Sequence, residues 1–274
     1  MRPASDTDHS TSDDFEGQAR RLSEQGFCIV PGVLPPTRVA EARERLLAAA
    51  RESERRGAPT FIPTLDPNDR NVRVFNLLDL DPLFRELIAH PTALAFVRRL
   101  LGAEFLISNF TANIALPGSR SMALHSDQAL VVPQPWLEPW SMNVIWCLDD
   151  VYPDNGATCY LPDSHRCATI DALPVDAAER MRPFQASAGS IVVMDGRMWH
   201  TSGANVTAAT ERALLFGYYT MDFLRPQVNW NAVLGDDVRA GLTAEMRGWL
   251  GLEAQANVRV GGALLERRLQ DPQA

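Results

Sequence analysis

His125-Ser126-Asp127 decides how this chain is read, taken with His200 in Trp199-His200-Thr201-Ser202-Gly203 and with Arg212 at the head of Ala213-Leu214-Leu215-Phe216-Gly217-Tyr218-Tyr219. Two residues apart on a strand, the side chains of His125 and Asp127 leave the same face, and a metal ion can sit between them. His200, 75 positions further along, predicts a second strand end brought beside the first. Two imidazoles and one carboxylate cover one face of an octahedral ion and leave the other face open for chemistry, an arrangement suited to Fe(II). Arg212 follows His200 by twelve positions. A strand entering there points a guanidinium into the pocket, where its fixed fork suits a carboxylate in two-point contact. The expected partner is a diacid that chelates the metal.

His125-x-Asp127, the run Gly189-Ser190-Ile191-Val192-Val193-Met194-Asp195-Gly196 leading to His200-Thr201-Ser202-Gly203-Ala204-Asn205, and Arg212 together resemble the phytanoyl-CoA dioxygenase family of Fe(II)/2-oxoglutarate oxygenases. The opening Gln25-Gly26-Phe27-Cys28-Ile29-Val30-Pro31-Gly32-Val33-Leu34 is similar to the start of that family, and the resemblance covers roughly residues 20 to 225. It implies a mainly β fold with flanking α-helices around a double-stranded β-helix (jelly-roll, cupin-like) core. It implies His125, Asp127 and His200 as metal ligands, with Arg212 and Ser202 on the cosubstrate. Met122 stands where many family members carry glutamine, which leaves Thr158, Gln128 or Asn113 as the cosubstrate's second anchor. Arg73 lies about where the family places a basic residue that helps bind cosubstrate or substrate. The implied activity is oxidation, hydroxylation foremost, of a small organic metabolite in secondary-metabolite biosynthesis. Fe(II) is the cofactor, 2-oxoglutarate and O2 are cosubstrates, and succinate and CO2 are released. Related halogenases carry a small residue in place of Asp127 to free a site for chloride, so a carboxylate there favours hydroxylation or a related oxidation. The alternative reading is a non-catalytic jelly-roll that binds metal and diacid as a sensor or partner module.

Composition fits an enzyme of this kind and excludes other classes. With 274 residues the chain is of single-domain length for a barrel or sandwich, and 46% hydrophobic residues provide a core. A net charge of −8 without a basic run argues against nucleic acid or an anionic membrane as partner. All 26 basic residues are arginine. Cys28, Cys147, Cys159 and Cys167 have neither CxxC spacing nor the density of a disulfide scaffold and read as reduced thiols. The first 16 residues are rich in Ser, Thr and Asp and lack the apolar segment of a signal peptide, so the expected location is the cytoplasm. The chain is compatible with a monomer or a homodimer.

In chain order, residues 1–14 predict a disordered tail, with His9 solvated, and residues 15–274 a single domain. A helix over Phe15 to Gln25 ends at Gly26, and a strand Phe27 to Val30 stops at Pro31-Gly32. Val39, Ala42, Leu46 and Ala49 recur at helical spacing from Pro36 toward Gly57. The proline-bearing stretch Gly57 to Asn71 reads as a loop or lid before a strand carrying Arg73. Asp81-Pro82 opens a helical stretch to Leu101 that breaks at His90-Pro91 and is capped by Gly102. Strands are expected over Glu104 to Leu116, Trp140 to Leu148, Ala157 to Pro162, Ser190 to Met194 and Arg212 to Tyr219. Asp149-Asp150 reads as a solvated turn and His165 as a turn scaffold. Beyond residue 226 a helical extension is expected, with Val238, Leu242, Met246 and Leu250 on one helix. Val131 to Trp140, with two tryptophans, three prolines and no arginine, is the expected pocket mouth. It points to a neutral, partly apolar substrate rather than an acyl-CoA.

Overall fold

A computed structural model describes residues 9–252, with side chains from Asp14 onward. Helix α1 (His9–Gln25) ends where Gly26 turns the chain with a φ of 78°. It begins inside the segment expected to be a disordered tail, because a Ser/Thr/Asp run suits the opening turns of a helix as well as it suits solvent. Residues 1–8 and the side chain of His9 lie outside the described residues. Strand β1 (Phe27–Val30) follows, then helix α2 (Pro36–Arg55), which starts on proline and buries Val39, Ala42, Leu46 and Ala49. Strand β2 (Asn71–Val74) leads to three short helices, α3 (Leu77–Leu80), α4 (Pro82–Ile88) and α5 (Pro91–Leu101). Proline opens the last two, Asp81 caps α4 by accepting from the Leu83 amide, and the His90 ring accepts from the Thr92 amide at 3.3 Å.

The remaining strands are β3 (Phe105–Ala115), β4 (Ser141–Cys147), β5 (Thr158–Tyr160), β6 (Arg182–Pro183), β7 (Ile191–Asp195), β8 (His200–Ser202) and β9 (Arg212–Met221), with helix α6 (Ala177–Arg180) before β6. The tail carries α7 (Trp230–Val233), α8 (Asp236–Ala240) and α9 (Ala244–Trp249). The single helix expected through Val238 and Leu250 is therefore two. Gly241 ends the first, and Thr243 caps the second by accepting from the Met246 amide, so the four-residue spacing ran across a break.

All strand pairs are antiparallel, in a six-stranded sheet of order β1-β7-β4-β9-β3-β2 and a three-stranded sheet of order β6-β5-β8. The two form a jelly-roll core with helices on one side. Alternation along the strands separates two environments. Met142, Val144 and Trp146 of β4 and Ala213, Leu215 and Tyr219 of β9 pack with Leu46, Phe84, Leu87 and Val97 of the helices. Ile145, Cys147, Val192, Met194 and Leu214 face the opposite way, with Ala157 and Phe184 from the small-sheet side. Both faces are covered, which is why these strands read as near-continuous apolar runs. No helix among the described residues is long and apolar enough to cross a membrane. The four cysteines are free thiols.

Gly189 tests how tightly the entry to β7 is packed. Its φ is +85°, and an added Cβ would lie 2.4 Å from the Leu34 carbonyl oxygen, which itself belongs to the backbone. Gly189→Ala combines a left-handed non-glycine residue with overpacking, and is expected to cost about 2–4 kcal/mol. Thermal unfolding of the variant should show a midpoint lower by roughly 5 °C or more; an unchanged midpoint would contradict this packing.

Candidate functional site

The large sheet presents its inner face to a cavity of about 440 Å³, a size suited to a small molecule. Arg73 of β2, Asn109, Thr111 and Asn113 of β3, Asn143 of β4, and Arg212, Phe216 and Tyr218 of β9 line it from that sheet. Thr158 of β5 and His200 and Ser202 of β8 line it from the small sheet, where Thr158 and Ser202 stand directly opposite one another. His125 and Asp127 come from the irregular segment between β3 and β4. A larger open groove of about 890 Å³, between Phe105, Phe223 and Trp249, contains none of these residues.

His125 and Asp127 do share a side, but they do not lie on a regular strand as expected. After Pro117-Gly118 the chain makes only a single antiparallel bridge, His125 to His200, and Asp127 then opens a short 3-10 turn to Leu130. The bridge has both backbone bonds, His125 N–H to the His200 oxygen at 3.0 Å and His200 N–H to the His125 oxygen at 2.8 Å. One ligand-type atom from each of His125, Asp127 and His200 lies within 4.8 Å of the others, and His200 Nε2 is 4.0 Å from Asp127 Oδ2.

The donor set fits a divalent ion. Each histidine places Nδ1 2.9 Å from a backbone carbonyl, Ala123 for His125 and Met198 for His200. The carbonyls can only accept, so both rings carry their proton on Nδ1 and turn the Nε2 lone pair to the cavity. Burial pushes His200 below the ordinary imidazole value, while the Asp127 carboxylate pulls the other way. The neutral ring is the form that ligates a metal.

Arg212 is 1% exposed. Its Nε and Nη2 donate to the Gly156 oxygen at 3.1 and 2.7 Å, and Nη1 donates to Asn113 Oδ1 at 3.2 Å and to the Asn113 backbone oxygen at 3.4 Å. These acceptors are neutral, and among the described residues no carboxylate lies within ion-pairing distance of Arg212. Burial lowers the guanidinium to about 10, still cationic at neutral pH. Four contacts against five N–H donors leave one free to meet a guest.

The other expected contacts divide. Asn113, Thr158 and Ser202 reach the cavity, although Ser202 Oγ already accepts from the Met122 amide at 3.1 Å. Arg73 reaches it too, but its Nε donates to both oxygens of Asp66 at 2.7 and 2.9 Å, so its charge is already met. Gln128 does not reach it. Its amide donates to the Glu138 oxygen and accepts from the Trp140 N–H, clamping the loop, and it is a correction to the expected cosubstrate contacts. The expected mouth is corrected as well. No residue of Val131 to Trp140 lines the cavity; Trp136 is buried against Trp199, and the exposed lining residues are Thr64, Leu65, Ala123 and Gln227. Two residues that sequence reasoning did not single out belong to the site. Asn143 donates to Asp127 Oδ2 at 2.5 Å, and the Tyr218 hydroxyl donates to the Asp127 backbone oxygen at 3.2 Å. A lone amide within the apolar run Met142 to Cys147 was the available clue.

Comparison with known proteins places the site in context. The family model described as phytanoyl-CoA dioxygenase (PhyH) matches residues 22–213. A curated relative, dioxygenase af480 from Aspergillus fumigatus, is 47% identical over 238 residues, covering 87% of this chain and 77% of that protein. Among solved structures, the non-heme α-ketoglutarate-dependent carbocyclase SnoK from nogalamycin biosynthesis superposes with a TM-score of 0.64 at 23% identity, covering 80% of this chain and 89% of that one. HygX from Streptomyces hygroscopicus, with nickel and 2-oxoglutarate bound, superposes with a TM-score of 0.62 at 17% identity, covering 77% and 88%. At these identities the two structures speak for the fold.

The Arg73–Asp66 pair makes a stability test that is independent of turnover. Asp66 has a fully buried side chain and Arg73 one that is 16% exposed, so removing the arginine strands a carboxylate. Arg73→Ala is expected to cost about 3–5 kcal/mol in urea unfolding, while replacing both residues by leucine recovers most of it. Equal midpoints for wild type and Arg73→Ala would show that the pair does not hold this wall.

Proposed function

This chain belongs to the phytanoyl-CoA dioxygenase family, and from that membership we propose that it hydroxylates a small neutral metabolite of the kind secondary pathways modify, with His125, Asp127 and His200 holding Fe(II) and Arg212 holding 2-oxoglutarate. The observation that carries this reading is Arg212. A buried cation whose contacts are all neutral is costly, and a dicarboxylate meeting the one remaining N–H supplies the missing charge. Held by His125, Asp127 and His200, iron would supply oxygen activation, with O2 and 2-oxoglutarate consumed and succinate and CO2 released.

The chain's own residues do the placing. Asn113 and the Gly156 carbonyl hold the guanidinium in one pose, and Thr158 and Ser202 offer hydroxyls across the same end of the cavity. Phe75 and Phe216 form the apolar part of the wall, with Leu65 at the rim. The substrate end carries amides and a hydroxyl, Asn109, Gln227 and Thr111, and the one further cation, Arg73, is already neutralised by Asp66. A CoA thioester brings several phosphate charges and calls for a basic cluster at the mouth. Thr64, Leu65 and Gln227 supply none. This favours a neutral substrate over an acyl-CoA. In the same reading the machinery is one oxygenase domain working in the cytoplasm.

Substrate-dependent succinate release, measured with Fe(II), O2 and a panel of neutral polycyclic metabolites, free acids and acyl-CoAs, is expected with neutral members of the panel. His125→Ala, Asp127→Ala and His200→Ala should each abolish it with the fold intact, because losing one of three ligands weakens iron binding. Full activity in either histidine variant, or turnover confined to the thioesters, would sink the corresponding part of the proposal. Arg212→Leu tests the cosubstrate anchor separately. Loss of one partner of a buried charge-assisted contact costs about 2–5 kcal/mol, so the 2-oxoglutarate requirement should rise roughly thirtyfold to several-thousandfold. Iron loading should change much less, and an unchanged 2-oxoglutarate affinity would mean that the diacid is anchored elsewhere.

A further inference from the structure

His125 and His200 are tied to each other by backbone bonds, whereas Asp127 stands at the start of a 3-10 turn outside both sheets. The side chains that hydrogen-bond Asp127 come from the large sheet. Asn143 of β4 donates Nδ2 to its Oδ2, and the Tyr218 hydroxyl of β9 donates to its backbone oxygen. Asn143 and Tyr218 are direct partners in the β4–β9 register, so they share one face of the sheet. Packing alone does not explain Asn143. It lies between Met142 and Val144 in a strand buried along its whole length, and its Oδ1 is buried without a protein donor. An apolar side chain would fill that position without stranding a carbonyl.

We propose that Asn143 and Tyr218 form a cross-strand clamp that positions Asp127 for metal binding, Asn143 fixing the carboxylate and Tyr218 fixing the backbone behind it. The clamp rests on the reading of His125, Asp127 and His200 as metal ligands. Both are positioning residues that act through Asp127. The carboxylate has few other restraints, since its side chain is 18% exposed and its backbone has left the strand ladder. Held by Asn143, it keeps the rotamer that faces the two Nε2 atoms; released, it can swing toward solvent.

The test is anaerobic calorimetric titration of the full-length apo-protein with Fe(II) and with Ni(II), on wild type, Asn143→Leu, Tyr218→Phe and the double variant, with circular dichroism and thermal midpoints recorded alongside. Asn143→Leu is expected to bind either ion about 10- to 100-fold more weakly, as when a partner of a ligating group is lost. Tyr218→Phe should lose less, and the double variant should lose less than the product of the two, because both act on one residue. If Asn143→Leu does not fold, Asn143→Ser carries the measurement, since it keeps a small polar side chain too short to reach Oδ2. Wild-type metal affinity in a folded Asn143 variant overturns the clamp, as does a fully multiplicative double variant. His125→Ala run in the same series separates the two readings: if it binds metal as wild type does, the ligand assignment fails, whatever Asn143 shows.

Discussion

Two backbone hydrogen bonds between His125 and His200 hold the site together. The segment from Pro117 to Asp127 has no strand of its own, and fixing such a loop carries an entropic cost for every residue ordered. The bridge meets that cost together with a strap one turn earlier, where the Met122 amide donates to Ser202 Oγ and the Thr201 hydroxyl donates to the Met122 carbonyl at 2.6 Å. Thr201 and Ser202 thus extend the pairing of β8 by side chain where the backbone ladder is missing. The consequence is geometric. Two imidazoles from segments 75 positions apart have ring centroids 4.4 Å apart, each ring oriented by a carbonyl two residues before it.

The other half of the site depends on the register of β9. A slip of one residue would turn Arg212, Phe216 and Tyr218 toward the helices and bring Ala213, Leu215, Gly217 and Tyr219 into the cavity. The helical layer prevents it. The Tyr219 hydroxyl donates to the Ile88 oxygen at 2.6 Å at the end of α4, and a Cβ at Gly217 would come 2.8 Å from Ile88 Cδ1, so any side chain there would have to push the tip of Ile88 aside. Packing on the outer face therefore aims the side chains on the inner one. The same parity places Asn143 opposite Tyr218 on β4 and Asn113 beside Arg212 through β3.

Legibility in the sequence followed the range of the interaction. Elements punctuated by proline and glycine were readable, including β1, α2 and the break between α4 and α5, because caps and turn residues act within a few positions. The family's spacing of His125, Asp127, His200 and Arg212 was readable for the same reason that a motif is: the residues are conspicuous by type. Gln128 and Arg73 were misplaced or only partly placed because polar side chains near a site look alike until their partners are known. Gln128 is taken by two backbone groups of its own loop, and Arg73 by Asp66, seven positions away across the loop. The rim was misassigned because aromatic and proline content reports an ordered loop without saying which side it packs on. Asn143 and Tyr218 acquire meaning only through cross-strand register, which no local pattern encodes.

The charges of the site, on the proposed reading, explain why its guests should arrive as a set. Alone, a divalent cation would add two positive charges to a cavity lined by Arg212 and by the Asp66-paired Arg73, with Asp127 as its lining carboxylate. A dicarboxylate alone would face Asp127 as well as Arg212. Like charges in a poorly solvated cavity repel strongly, and each guest by itself leaves an uncompensated charge in it. Together the ion and the diacid are neutral, and each removes the repulsion that the other would meet. Their affinities are then coupled, and by linkage the coupling is reciprocal. Because His125 and His200 belong to the bridge, Arg212 to the large sheet and Asp127 to a turn between them, such a pair also joins segments that the protein alone holds by a few hydrogen bonds. Ligands that bind only this folded arrangement stabilise it by mass action, so the loosest part of the site is the part that the bound pair would fasten most.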